Sequence, residues 1–266
     1  MIAALRYEFL MQIRRPVMWI VYGLAFAALV ATMWPAYRTL DLGSGGGHDP
    51  KLAMVVSAKV TMSLLAIVYG CLLADRLIRD RRLGVATIMD ASSANPLGRL
   101  IGKYAGVCAA TAAPIALAFF GRAVVYAIAE GKAEALAWSV PVFATAILPG
   151  LAFLGALALA GPLLMPPLVF RVLFVAYWFW GNLIPADMMP TLSHTIFAAT
   201  GDYVAYGLFD RGSEGGFVYG PWPDAALNFL RPVASPAVAV LWMGVMVALA
   251  AGILLLARLH AARSEH

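Results

Sequence analysis

Long apolar segments alternate with short polar ones along most of the chain. Because a bilayer-spanning helix needs about 20 apolar residues, this pattern predicts six transmembrane helices. Their expected ranges are about 17–35, 52–73, 103–128, 136–160, 168–186 and 232–258. The stretch 135–170 has no charge and is too long for one helix, and Gly161-Pro162 with Pro166-Pro167 predicts a break near its end. We therefore expect an all-α polytopic membrane protein, with a single transmembrane domain over 1–266.

Residues 1–15 predict a short amphipathic helix before the first span. Leu5, Phe9 and Ile13 recur every four residues, which places them on one face of a helix. Pro16 then ends the helix. We expect an elbow that lies in the membrane interface and turns sharply into the bilayer. A frayed extension of the first span is the alternative.

A long segment, 187–231, separates the fifth and sixth predicted spans and is expected on the outer side of the membrane. Pro185 and Pro190 favour short helices that re-enter the bilayer from that side. Aromatic residues at this depth usually form an interfacial belt, and a gate for substrate exit is the alternative interpretation. The aromatic residues concerned are Phe197, Tyr203, Tyr206, Phe209, Phe217, Tyr219, Trp222 and Phe229.

Composition and charge agree with a membrane protein. Hydrophobic residues make up 62% of the chain and charged residues 12%, which excludes an ordinary soluble domain. Most of the nineteen Lys and Arg residues fall in loops on the side of the N-terminus, so the positive-inside rule predicts that both termini are cytosolic. We expect a multi-pass protein of the cell (inner, cytoplasmic) membrane. The net charge of +5 follows from this topology and from contact with anionic membrane lipid, and it gives no reason to expect nucleic acid as a partner.

The polar interruption 74–102 is expected to be a cytosolic loop. Apolar residues between its charged ends predict a short helix on the membrane surface, which suits a docking site for a soluble partner. The alternative is that its basic residues only anchor the second span. The residues that define this pattern are Arg79, Asp80, Arg81, Arg82, Gly84, Ile88 and Met89.

Two cations fall within or near the predicted spans, Lys59 and Arg122. One interpretation is that both side chains snorkel to the outer headgroups. The other is that both face an internal cavity and bind an anionic group of a substrate, with Asn182 and Asp187 as weaker candidates for the same path. No Asp or Glu lies deep in a predicted span, which disfavours proton-coupled secondary transport.

The sequence contains no recognisable catalytic pattern. GxxxxGK[ST], HExxH, CxxC and Gly-x-Ser-x-Gly are all absent, and none of the four histidines falls within a predicted span. We therefore predict that the chain is not an enzyme and that it binds no cofactor or metal ion itself.

A stripe of small residues leads into the third predicted span. Gly98, Gly102, Gly106 and Ala110 recur every four positions. Such a stripe lets another helix approach closely, so we expect it to serve packing.

Taken together, the elbow, the six spans, the cytosolic loop and the re-entrant outer segment resemble the ABC-2 type permeases, the membrane subunits of ATP-binding-cassette exporters. The resemblance covers the whole chain at the level of topology. Its sequence motif is a charged run, a glycine, an apolar helix and a Gly-Lys pair before the third span. Here these are Arg79-Asp80-Arg81-Arg82, Gly84, Ile88-Met89 and Gly102-Lys103. Two positions depart from the family pattern, because Ser93 stands where a proline is frequent and Arg82 where an acid is frequent.

The resemblance implies an exporter built from several subunits. Two copies of a cytosolic ABC ATPase would bind ATP and Mg, and a second permease, identical or paralogous, would complete the path. Residues 83–91 would be the coupling helix, and the elbow would make a second contact with the ATPase. The cargo does not follow from the resemblance, but the aromatic-rich, weakly charged spans favour an amphiphilic or hydrophobic one. Two other classes stay open: a secondary carrier or channel that works without ATP, and a membrane scaffold.

Overall fold

The computed structural model describes residues 2–32, 49–77, 96–210, 219–223 and 225–263. All regular secondary structure in these ranges is helical, as the apolar pattern predicts. The α-helices are α1 (Ile2–Ile13), α2 (Pro16–Thr32), α3 (Pro50–Leu73), α4 (Pro96–Ala129), α5 (Glu134–Val142), α6 (Leu148–Ala160), α7 (Pro167–Trp178), α8 (Asp202–Gly207) and α9 (Pro236–Arg263).

Shorter helical turns extend or connect these helices. A π-helical turn, Phe143–Ile147, joins α5 to α6, and a second one, Phe179–Leu183, extends α7. A 3-10 turn, Gly161–Leu163, follows α6, and another covers Asn228–Leu230.

Four of the described helical segments are long and apolar enough to cross a membrane: Pro50–Leu73, Gly98–Ala129, Glu134–Leu163 and Pro236–His260. The α1–α2 pair is bent by 62° and would add a fifth span if it is counted as one. The helix Pro167–Leu183 is apolar but shorter. Length and composition of the described helices therefore give four or five membrane-crossing candidates, where the sequence predicts six.

Prolines determine where several helices begin, because the first turn of a helix does not need the N–H that proline lacks. Asp49 caps α3 by accepting a hydrogen bond from the Lys51 N–H at 2.9 Å, with Pro50 as the first helical residue. The break predicted after α6 is present, since the 3-10 turn ends at Leu163 and α7 begins at Pro167.

α3 lies at the centre of the described helices and packs against α2, α4, α5, α6 and α7. Its residues Met62, Leu65 and Tyr69 are almost fully buried. Trp178 at the end of α7 donates its indole N–H to the carbonyl oxygen of Ser63 at 2.8 Å. A buried indole N–H needs such a partner, so this bond fixes α7 against the centre of the bundle.

The outer surfaces of α2, α4 and α9 are apolar. Because large apolar side chains avoid water, we infer that these surfaces contact lipid or other membrane helices. The exposed residues include Ile20, Leu24, Leu117, Val125, Val240, Leu241, Val247 and Leu256.

Candidate functional site

The N-terminal helix α1 packs along α4 with its polar side. A Cβ atom added at Gly106 would lie 2.4 Å from the carbonyl oxygen of Leu5, so the two backbones touch at this glycine. Gln12 is buried and donates from Nε2 to Thr111 Oγ1 at 3.1 Å. The small residue at Gly106 in the predicted stripe therefore allows α1 to approach α4 closely.

The three residues of the apolar stripe predicted on α1 differ in burial. The Leu5 side chain is exposed, Phe9 is half-buried, and Ile13 packs against the core. Periodicity therefore indicates the helix and its end before Pro16. The polar contacts with α4 come from Glu8 and Gln12, which lie beside this stripe on the helix surface.

Two ion pairs flank residues 78–95 in the sequence. Before them, Asp75 binds Arg171 of α7, whose Nε also donates to the carbonyl oxygen of Cys71 at 3.2 Å. After them, Lys103 Nζ lies 3.9 Å from Glu8 Oε1 of α1. Each end of this stretch is thus linked to a different helix, α7 on one side and α1 on the other.

The predicted coupling residues themselves lie outside the described residues. They are Arg79, Asp80, Arg81, Arg82, Gly84, Ile88 and Met89. Their role stays a prediction.

A polar cluster lies where the segment after α7 packs against α3. Lys59 Nζ is 2.8 Å from Asp202 Oδ1. The Thr200 hydroxyl donates to Asp202 Oδ2, also at 2.8 Å. Asp202 is 5% exposed, and Lys59 reaches it from the third turn of α3. Lys59 therefore binds a carboxylate of the protein itself.

The charge of Lys59 determines the ionisation of Asp202. Burial alone would raise the pKa of this carboxyl, because it disfavours the charged form. The ammonium of Lys59 and the hydrogen bonds from Lys59 and Thr200 outweigh that effect, so the pKa lies below its ordinary value. Asp202 is consequently a buried carboxylate that is charged at neutral pH.

Gly201 makes this arrangement possible. Its φ of 78° lies in the left-handed region that favours glycine. A Cβ atom at this position would also lie 2.5 Å from the carbonyl oxygen of Ala146, in the turn between α5 and α6. Both the turn and the close approach that place Asp202 require a glycine.

An aromatic group surrounds the cluster. His194 lies with its ring centroid 5.2 Å from those of Tyr219 and Trp222. Tyr203 donates its hydroxyl to the His194 carbonyl oxygen at 3.0 Å, and Tyr206 stacks on Tyr219 at 4.5 Å. Tyr203 and Tyr219 are buried. Tyr203 and Tyr219 thus form part of the protein interior, whereas Phe229 of the same predicted aromatic set is exposed.

His194 is held toward its neutral form. Burial lowers its pKa, Asp202 raises it, and Lys59 and Arg231 lower it again, with a net decrease. Its ring atom Nδ1 is buried and has no hydrogen-bond partner among the described residues.

Arg231 connects distant parts of the segment after α7 through buried hydrogen bonds. Its side chain is fully buried, and Nη2 donates to the carbonyl oxygens of Thr191 at 3.0 Å and Ser193 at 3.3 Å. Nη1 binds the carbonyl oxygen of Ala226. The sequence predicted Arg231 only as a charge on the outer side, because its partners are backbone atoms that no sequence pattern marks.

The segment is also attached to the helices next to it. Asn182 Oδ1 accepts a hydrogen bond from the Ala199 N–H at 2.7 Å. Trp242 of α9 donates its indole N–H to the Ala198 carbonyl oxygen at 2.8 Å. Asn182, predicted on a substrate path, therefore binds the backbone of this segment, while Asp187 is exposed.

The two predicted cations lie in different surroundings. Lys59 is in the Asp202 cluster, whereas Arg122 lines a groove between α2 and α4. The structure therefore does not bring Lys59 and Arg122 together in one cavity. Asp202 and the neighbouring His194 and Arg231 were not predicted from the sequence as candidate site residues.

Comparison with protein-family models and with curated proteins finds no match for this chain. Its resemblance to ABC-2 permeases thus depends on the sequence features. Among the described residues, no group of three or more His, Cys, Asp or Glu side chains is arranged to bind a metal ion.

Proposed function

We propose that the chain is the permease subunit of an ATP-driven ABC exporter, with six spans and a separate ATPase. The observation that supports this most directly is the pair of ionic contacts that flank residues 78–95. Asp75 binds Arg171 of α7, and Lys103 lies near Glu8 of α1. A displacement of this loop would therefore pull on two further helices, as a coupling element must.

The proposed mechanism begins in the partner subunits. Two copies of the ATPase bind ATP and Mg, and their closure moves the coupling helix at 83–91. ATP can drive the permease from one conformational state to the other only if the ATP-bound ATPase favours one of them. The loop must therefore occupy a different position in each of the two states of the permease. α4 then moves together with α1, because their backbones touch at Gly106.

The same motion reaches the other end of the bundle through α3. α3 precedes the loop and ends at Leu73. Lys59 lies 14 residues before that end, which is ~20 Å along the helix at 1.5 Å per residue. Lys59 binds Asp202 of the segment after α7. A shift of α3 would therefore move the segment after α7. We propose that this segment is the gate on the outer side.

A second permease, identical or paralogous, and membrane lipid would cover the apolar surfaces of α2, α4 and α9. The chain would lie in the cell membrane with both termini in the cytosol. The aromatic-rich, weakly charged character of the spans favours an amphiphilic or hydrophobic cargo.

One observation favours a second candidate, a secondary carrier that works without ATP. Asp202 is a buried carboxylate in contact with a cation of α3. Carriers commonly use such a group to bind a coupling ion, and the sequence alone had not placed one in the bundle. In this reading, transport requires Asp202 and an ion gradient but no ATPase.

Purification of the tagged protein from its native host, with mass-spectrometric identification of stoichiometric partners, tests the proposal. We expect a Walker-motif ATPase that Met89→Asp releases. Met188→Asp is the matched control, because Met188 is exposed on the segment after α7 and far from the loop in sequence. A protein that is isolated alone and supports flux in liposomes without ATP contradicts the exporter and supports the carrier. A partner without Walker motifs and no flux would support a scaffold.

A further inference from the structure

A groove of about 540 Å³ runs between α2 and α4, apart from the Asp202 cluster. The described residues of its wall are almost all apolar, and Arg122 is the one among them that carries a charge. The residues of α2 that line it are Trp19, Tyr22, Gly23, Phe26 and Val30. Those of α4 are Pro114, Leu117, Ala118, Gly121, Arg122 and Val125, and Leu65 of α3 forms the base.

Glycines on both walls keep the groove wide. A Cβ atom added at Gly23 or at Gly121 would meet no other atom within 4 Å. Gly106 and Gly155 differ, since a Cβ at either position would collide with a neighbour, whereas Gly244 and Gly252 of α9 are as open as Gly23 and Gly121. No atom of the described residues therefore fills the space beside Gly23 and Gly121.

The polar atoms of the two aromatic residues on the α2 wall are already bonded. Trp19 donates its indole N–H to the Ile13 carbonyl oxygen at 2.8 Å. Tyr22 donates its hydroxyl to the Thr111 carbonyl oxygen at 2.8 Å. What these residues present to the groove is their apolar ring surface, in a fixed orientation. Such a wall suits a hydrocarbon chain better than a polar ligand.

The dimensions suit one acyl chain. The α4 wall extends from Pro114 to Val125, which is eleven steps along the helix or ~16 Å at 1.5 Å per residue. This is about half the ~30 Å thickness of the bilayer hydrocarbon, which is the depth of one leaflet. Arg122 lies near one end of this wall, and long cationic side chains on membrane helices extend toward the headgroups.

We propose that the groove binds one anionic phospholipid, from the leaflet on the Arg122 side of the membrane. One acyl chain lies between α2 and α4, against Gly23 and Gly121, and the phosphate binds the guanidinium of Arg122. This lipid site is separate from the cluster around Asp202. It requires only that α2 and α4 lie in a membrane, so it does not depend on the exporter proposal.

Native mass spectrometry of the purified full-length protein, titrated with phosphatidylglycerol or phosphatidylcholine, tests the site. We expect one tightly held lipid, with phosphatidylglycerol preferred. Arg122→Gln should reduce this preference about fivefold, the factor that corresponds to ~1 kcal/mol per cation near anionic lipid. Arg258→Gln is the charge control, because Arg258 is exposed on α9 outside the groove.

Two glycine variants test the acyl-chain position. Gly121→Leu fills the groove and should abolish the bound lipid of either headgroup. Gly244→Leu on α9 is the matched control, since a Cβ there also meets no atom within 4 Å but lies outside the groove. Gly23→Leu repeats the test from the opposite wall if Gly121→Leu does not fold.

Three results would overturn the proposal. The first is retention of the lipid in both groove variants. The second is equal loss of lipid in Gly121→Leu and Gly244→Leu, which would place the site elsewhere. The third is equal binding of the two lipids by the wild-type protein, which would remove the role of Arg122.

Discussion

Lys59 of α3 and Asp202 of α8 form an ion pair, with 2.8 Å between Nζ and Oδ1. It connects the central helix of the bundle to the segment that follows α7. The carboxylate is buried, while the Lys59 side chain is 37% exposed, so the two partners differ in how well water can replace the contact. The contribution of the pair therefore depends on which partner is removed.

Removal of the cation should be the more damaging change. Lys59→Met leaves a buried carboxylate without its cation, at a cost of about 2 kcal/mol, which corresponds to a decrease in Tm of about 4–8 °C. Asp202→Asn should cost less, because it leaves a partly hydrated ammonium. The double variant Lys59→Met with Asp202→Asn should recover part of the loss. Thermal unfolding in detergent measures all three.

Lys51→Met is the matched control for this experiment. Lys51 lies on the same helix and pairs with Asp210 of the same outer segment at 3.8 Å, but the Asp210 side chain is 68% exposed. Exposed pairs contribute little, so the Tm should change by less than about 2 °C. An equal decrease for Lys51→Met and Lys59→Met would contradict a special role of the buried pair.

Stability should depend on pH through His194. Its pKa is lowered in the folded protein, by burial first and then by Lys59 and Arg231, against the opposing effect of Asp202 and Asp187. As the pH falls, His194 therefore binds a proton in the unfolded chain at a higher pH than in the folded protein. Stability is fully present above the ordinary pKa of about 6.5 and decreases as the pH falls from there to the lowered value.

His194→Asn should flatten this dependence. Asparagine tolerates the φ of 62° at this position and does not titrate. The Tm of the variant should change less than that of the wild type between about pH 7 and 5, the window below the ordinary histidine pKa. Asp202 stays charged in this window, because its own pKa is lowered. Equal slopes in the two proteins would show that another group titrates.

The contact between α1 and α4 should be sensitive to a single methyl group. A Cβ at Gly106 would lie 2.4 Å from the Leu5 carbonyl oxygen, which is backbone and cannot rotate away. Gly106→Ala should therefore displace α1 and increase its cleavage in limited proteolysis. Gly244→Ala is the control, because it meets no atom and should stabilise α9 by up to ~1 kcal/mol. Unchanged proteolysis of Gly106→Ala would contradict the close packing.

The ion pair between Glu8 and Lys103 should matter for coupling if the chain is an exporter permease. Both side chains are largely buried, at 13% and 11% exposure. Lys103→Glu should retain the ATPase partner but reduce ATP-driven transport, because two acidic groups then separate α1 from α4. Glu8→Lys added to it should restore part of the transport. A double variant as poor as the single one would show that the pair does not transmit motion.

The apolar pattern by itself determined the helical class, and some helix limits agree with it. The predicted second span, 52–73, corresponds to Pro50–Leu73, and the predicted break falls between Leu163 and Pro167. These features are local, because prolines and runs of apolar residues act on the chain within a few residues. The number of six spans stays a prediction, since Pro167–Leu183 is short and α1 with α2 is a bent pair.

Only the tertiary structure decided which groups the charged residues bind. Lys59 and Asp202 are far apart in sequence, and Arg231 binds carbonyl groups that carry no side-chain signature. A sequence pattern reports which face of a helix is apolar, but the partner of a buried charge is set by long-range packing. Because a buried charge must be compensated, packing rather than periodicity assigned Lys59 to Asp202 and Arg122 to the lipid groove.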